Sequence, residues 1–265
     1  MQGKYYSTKI RPNIPPASQH AGAYTAKDVL FEWTAVRVPK GTVRLVSATA
    51  IVRGKGDANG TANPFAMDLW FADDDTNGLT ASNVVTNAAN TGKPSRNLIG
   101  AVELAVTGYK EFGDNNMAQM VTSGAYDGEN YGNQDPLIIT PKKDLDVNHN
   151  DAGYSTFYVS GIAQGAFDFS SIYAIAEAGD AGAPSTKVIT IDGTSIDAFE
   201  QFSVGDTLAI GTSVGAPAAN SILGVVESID STTQVTMLDT SLTNLVDGDI
   251  IYTPNPIEII LAFEY

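Results

Sequence analysis

The stretch that constrains this chain most is its last nine residues, Ile257-Glu-Ile-Ile-Leu-Ala-Phe-Glu-Tyr265. Ile257, Ile259, Leu261, Phe263 and Tyr265 share one face of an extended segment, and Glu258, Ile260, Ala262 and Glu264 share the other. That period of two marks a half-buried strand. A strand so apolar has to pair inside a sheet. Residues 186 to 252, which precede it, form a self-contained repeat, so its expected partners lie far back in the chain. The predicted organisation is all-β. An extended arm covers residues 1–26, and a β-sandwich or jelly-roll-like main domain covers 27–182 plus 253–265. A small β-barrel-like module with an internal repeat is inserted at 183–252.

The strands read in order. Pro12, Pro15 and Pro16 keep the arm extended, with at most one short strand near Tyr5 to Ile10. Val29 to Val38 and Thr42 to Arg53, linked by Pro39, Lys40 and Gly41, are predicted to form a hairpin. Phe65 to Ala72, Leu98 to Thr107, Leu137 to Thr140, Tyr154 to Ile162 and Phe167 to Glu177 supply further strands, and residues 109 to 135 read as loop. No segment keeps a helical period with caps. Phe31, Trp33, Phe71, Phe157, Tyr173 and Phe263 are the expected core anchors.

The repeat runs through Val188 to Asp192, Thr194 to Ile196 and Val204 to Leu208, echoed by Val235 to Asp239, Thr240 to Leu242 and Asp247 to Ile251. Neither half buries its apolar face alone, so the halves should pack together. A hairpin is expected around Asp230-Ser-Thr-Thr233, and Glu177 to Ser185 reads as a flexible linker.

Charge is informative through its distribution. Residues 1–56 carry nine basic residues against Asp28 and Glu32, whereas the other 209 residues carry 6 basic and 28 acidic ones. Such asymmetry implies that one end docks while the other faces solvent. So acidic a body repels phosphate, which argues against nucleic acid as a partner. No run of about 18 apolar residues exists to form a spanning helix, and Met1 to Pro12 lacks the apolar stretch of a leader. The absence of cysteine excludes disulfides, thiolate metal sites and cysteine nucleophiles.

The chemical motifs are incomplete. Gly211-Thr-Ser-Val-Gly215 has the letters of a nucleophile elbow, but Ala216, Pro217, Ala218 and Ala219 follow it inside a β-module where a helix is required. The two histidines, His20 and His149, lie in the arm and in a polar loop. No catalytic or cofactor-binding residue is assigned, and the chain is not expected to be an enzyme. Asp73, Asp75 and Asn77 match the first half of a calcium loop, but Val84 stands where the bidentate glutamate belongs. This favours an exposed acidic turn and leaves calcium as the one cofactor considered. Asp144, Asp146 and Asn148 repeat the spacing less well. Trp33 and Trp70 sit in apolar runs, which reads as core before sugar platform.

Within the repeat, VGDTLAIGTS, GVVESIDSTTQVTM and VDGDIIYT resemble the small β-modules of virion structural proteins of tailed bacteriophages. The resemblance covers about a quarter of the chain and includes no catalytic signature. A sandwich with an N-terminal arm is similar, within that class, to capsid decoration (cement) proteins. The resemblance implies assembly in the host cytoplasm, a place in the virion, the major capsid protein as partner, and a homo-oligomer, trimers included. On that reading Lys4, Tyr5, Tyr6, Lys9 and Arg11 lie on the capsid. The alternative is a tail fibre or spike component with a carbohydrate-binding sandwich.

Overall fold

The computed structural model of the chain describes residues 4–14, 18–19, 24–54, 63–75, 79, 97–112, 116–122, 137–141, 153–169, 173–177, 187–193, 197–211, 217–239 and 245–265. It is all-β and built from antiparallel sheets, with one short helix, α1 (Ala198–Gln201), among the described residues.

The closing strand, β16 (Ile257–Glu264), lies between β1 (Tyr5–Ile10) and β3 (Val43–Val52). Its register sets Ile257 opposite Val52 and Leu261 opposite Ala48 on one side, and Ile259 opposite Ile10 on the other. The sheet continues through β7 (Asn116–Thr122) to β6 (Tyr109–Phe112), and β8 (Ile138–Ile139) adds to the start of β3. A second sheet has the order β2 (Val29–Pro39), β9 (Tyr154–Ala163), β4 (Met67–Ala72), β5 (Leu98–Leu104). Phe31, Leu69, Phe71 and Phe157 from this sheet meet Leu45, Ile259, Leu261 and Phe263 from the first in one fully buried core. The rings of Phe157 and Phe263 cross edge to face at 5.8 Å. Burying each such side chain contributes roughly 1.5–3 kcal/mol. The two sheets therefore pack as a sandwich.

Three expectations change. The predicted hairpin of 29–38 with 42–53 does not form: β2 pairs with β9 in one sheet and β3 with β16 and β7 in the other. The link at residues 39–41 is an arch between sheets, because each strand can bury its apolar face in the shared core without pairing to its neighbour in sequence. Residues 109–122, read as loop, hold β6 and β7, which pair with each other and extend the sheet from β3. The arm is also less separate than expected. Ile14 and Tyr24 are fully buried in the sandwich core, and the buried Gln19 amide donates to the Ile14 and Thr253 carbonyls at 2.8 Å each.

The other six strands form one sheet in the order β10 (Ala174–Ile175), β15 (Ile250–Tyr252), β12 (Thr207–Gly211), β13 (Pro217–Ser231), β14 (Gln234–Met237), β11 (Val188–Thr190). Its two edges meet. Ala176 bridges Ile191, Glu177 N–H donates to Thr190 O at 3.1 Å, and Asp192 N–H donates to Ile175 O at 2.8 Å. The sheet thus closes on a core of its own, including Ile191, Phe202, Leu208, Leu223, Val235 and Ile251. The hairpin around Asp230 to Thr233 forms as predicted, between β13 and β14. The module begins earlier than residue 183, because Ala174–Ile175 already pairs with β15, while Phe169 still packs in the sandwich.

One turn recurs three times. In Ser203-Val-Gly-Asp206 and Val246-Asp-Gly-Asp249, the glycine at the third position has φ of +88° and +81°. The aspartate N–H donates back to the first carbonyl at 3.0 Å in both. Its carboxylate accepts from the first N–H, at 2.9 Å in one turn and 2.8 Å in the other. These are type II turns capped by their own last residue. Thr25-Ala-Lys-Asp28, which leads into β2, is the same device: Lys27 takes φ +74°, and Asp28 accepts from Thr25 N–H at 2.6 Å. Each turn clips a neighbouring strand alike, Lys27 and Asp28 to Ala163, Gly205 and Asp206 to Val226, and Gly248 and Asp249 to Ala176.

Candidate functional site

The arm residues expected to bind a partner divide between two places. Lys4, Tyr5 and Tyr6 sit at the end of the sandwich where β1 starts, β16 ends, β3 starts and β9 starts. Lys4 exchanges backbone hydrogen bonds with Tyr265, at 3.2 and 3.0 Å. The Tyr6 ring lies 6.1 Å from that of Tyr154, and the Arg37 guanidinium lies 5.5 Å above the Tyr154 ring. Tyr5 is 72% exposed, Tyr154 40%, Tyr265 44% and Ile138 58%. Lys4, Arg37, Lys40 and Arg44 lie at the same end, with Glu264 3.6 Å from Arg44. The sequence supplied half of this surface. Tyr154 and Tyr265 were missed because they lie 149 and 260 residues beyond Tyr5, and Arg37 because it lies on the next strand, and only register brings them together.

Lys9 and Arg11 turn away from that end, Lys9 to a carboxylate of the neighbouring strand and Arg11 to that carboxylate and one of the module. Lys9 Nζ meets Glu258 Oε2 at 2.7 Å, Arg11 Nε meets Glu258 Oε1 at 2.8 Å, and Arg11 Nη1 reaches Asp206 Oδ1 at 3.4 Å. Burial raises the Glu258 pKa, but hydrogen bonding from Lys9 and the charges of Arg11, Lys9 and Arg53 outweigh it, leaving the carboxyl below its ordinary value. At the centre of this junction is Arg53, 6% exposed, just beyond β3. Its Nη2 donates to Asp206 Oδ2 at 2.8 Å and to Ser203 Oγ at 3.2 Å, its Nε donates to Asn255 O at 3.2 Å, and its Nη1 donates to Gln201 O. Burial lowers its pKa, and Asp206 and Glu258 act in the opposite direction.

The tryptophans are not in the main core. Trp33 and Trp70 are half-buried on the outer face of the second sheet, where they pack around Val29, Leu79 and Ile162. Leu79, 3% exposed and contributed by the loop after β4, occupies the patch with them. Beside it, Asp68 on β4 stands opposite Glu103 on β5 and accepts from Gln164 Nε2 and the Trp70 indole. Burial, then the Glu103 charge, raises the Asp68 pKa to about 6. Tyr173, the other expected anchor, is half-buried with its ring 6.1 Å from that of Tyr252.

Of the calcium candidates, Asp73 and Asp75 follow β4, and Asn77 lies outside the described residues. Asp144, Asp146, Asn148, His20, His149 and residues 212–215 of the elbow-like motif also lie outside them. Among the described residues no cluster of three or more histidine, cysteine or acidic side chains is placed to hold a metal, and no helix is long and apolar enough to cross a membrane. Compared with known proteins, the chain matches no protein-family model and no curated sequence.

Proposed function

We propose that this is a non-enzymatic structural protein of a tailed-phage virion, a capsid decoration protein that seats the tyrosine- and arginine-bearing end of its sandwich on the outer capsid surface. The observation that supports this reading is that end itself. Tyr5, Tyr6, Tyr154 and Tyr265 are gathered there with Lys4, Arg37, Lys40 and Arg44. Tyrosine and arginine are the residues that dominate protein interfaces. The module is acidic, with nine acids against Lys187 across 183–252, and in this reading it points outward as part of a homo-oligomeric layer.

Removing residues 1–16 is a poor test, because it strips β1 from β16 and takes Ile10 and Ile14 out of the core. Point variants are better: Tyr5→Ala, Tyr154→Ala and Arg37→Glu, mixed with purified heads and pelleted. A hot-spot truncation costs about 2 kcal/mol or more, so each should weaken binding by roughly 30-fold. Asp239→Ala on the module should bind normally. Full occupancy by a folded Tyr5→Ala/Tyr154→Ala/Arg37→Glu triple variant rejects the proposed surface.

The carbohydrate-binding alternative draws on Trp33 and Trp70 facing outward beside Asp68, Glu103 and Gln164. Both indoles pack in part against Val29, Leu79 and Ile162, which commits some of their surface to the protein itself. That places the alternative second.

A further inference from the structure

The same capped turn occurs three times, yet among the described residues only one copy is held by side chains of the other β-body. Asp28 and Asp249 cap their own turns, at Thr25 and Val246. Asp206 does this for Ser203 and in addition receives Arg53 on Oδ2 and Arg11 on Oδ1. Both arginines come from the sandwich, and Asp206 is fully buried. Among the described residues no strand ladder joins the two bodies, and each has a separate apolar core. The chain passes between them twice, at residues 169–174 and 252–257, and the second crossing is held by the same arginine: Arg53 Nε donates to Asn255 O and Arg53 N–H to Pro256 O at 3.0 Å. Asn255 Nδ2 in turn donates to the Arg11 and Pro12 carbonyls at 3.1 Å each.

We propose that Arg53 and Asp206 form a buried latch that sets the orientation of the module on the sandwich, with Arg11 as its outer arm. The latch opens without unfolding either core, so the module is a unit that can swing relative to the sandwich. The physical basis is the cost asymmetry of a buried pair. With Arg53 removed, the buried Asp206 charge keeps only Arg11 at 3.4 Å and its own turn's N–H, and regains the lost stabilisation by reaching water. Here the junction is bounded by two independently packed bodies, so parting them is the available route. Arg53 is thus a positioning residue.

The absence of cysteine makes the test direct, since a spin-label pair can be introduced at two exposed sites, Lys40→Cys on the sandwich and Asp239→Cys on the module. The parent protein should give one narrow distance distribution. Arg53→Met should broaden it several-fold while tryptophan fluorescence and circular dichroism show both bodies folded, and Arg11→Met should broaden it less. Asp249→Asn, which weakens the sister turn but touches no arginine, should leave the width unchanged. An unchanged narrow distribution in folded Arg53→Met overturns the latch. Global unfolding of Arg53→Met combined with an unchanged width in Arg11→Met also overturns it, reducing Arg53 to a structural residue.

Discussion

Lys27 holds a backbone conformation that its two sister turns assign to glycine, and this gives a stability prediction of definite sign. At φ +74° a residue with a Cβ carries left-handed strain of about 1–2 kcal/mol. Lys27→Gly removes that strain, and the wider freedom of glycine in the unfolded chain returns about 0.4–1 kcal/mol of it. The net effect is a stabilisation of about 0.5–1 kcal/mol. Gly205→Ala and Gly248→Ala run the same exchange backwards. An added Cβ at either position meets nothing within 4 Å, so the cost is backbone strain alone, again about 0.5–1 kcal/mol. Urea unfolding separates the cases, because both tryptophans, Trp33 and Trp70, belong to the sandwich and their fluorescence reports on that body alone. Lys27→Gly should raise the fluorescence midpoint without changing the slope. The two alanine variants should lower the module's transition by circular dichroism. A Lys27→Gly protein whose midpoint falls or stays put refutes the argument that the three turns are one device.

Two further tests address packing and titration. Gly161→Ala would set a Cβ 2.3 Å from Phe31 Cε1, inside a ring that cannot retreat from the core, so it should cost about 1–3 kcal/mol or more in the same fluorescence assay. Asp68 holds its proton up to about pH 6, above the ordinary aspartyl value, so the folded state binds that proton more tightly than the unfolded chain does. Its contribution is therefore fully present below about pH 4 and is lost as pH rises towards 6. Asp68→Asn should flatten stability across that window, and an unaltered pH profile would show that another group carries it.

The pattern of the last strand was readable because alternation in Ile257 to Phe263 leaves one face to bury, and a nearby repeat left no local partner. The reading failed where local and distant pairing look alike. Val29 to Val38 and Thr42 to Arg53 alternate as hairpin strands do, and nothing in a three-residue link distinguishes a hairpin from an arch between sheets. β7, Asn116–Thr122, was hidden by the glycine-, aspartate- and asparagine-rich residues on either side of it in the sequence, and is a strand because β3 and β6 pair with it on both sides. The third capped turn escaped notice because Lys27 stands where the other two carry glycine, which removed the one letter that makes the pattern visible. The apolar runs around Trp33 and Trp70 were read as core, but both tryptophans are half-buried outside the main core, because periodicity does not say which of two sheet faces is the main core.

The lopsided charge of the first 56 residues reads in sequence as one docking surface, yet register spends it in two different ways. Lys9 and Arg11 are directed onto Glu258 of the neighbouring strand, and Arg11 and Arg53 onto the buried Asp206, so that the two Asp206 pairs are geometric restraints between bodies. Lys4, Arg37, Lys40 and Arg44 remain at the far end among tyrosines, where water and salt screen them. The two groups answer to different physics: desolvation governs the Asp206 pairs, and screened surface charge governs the second group. Substituting the junction cations should alter how the module is held, whereas substituting the end cations should alter what the sandwich meets. The chain's opening segment therefore joins its two bodies from one end and presents a surface at the other, with β1 carrying both roles on a single strand.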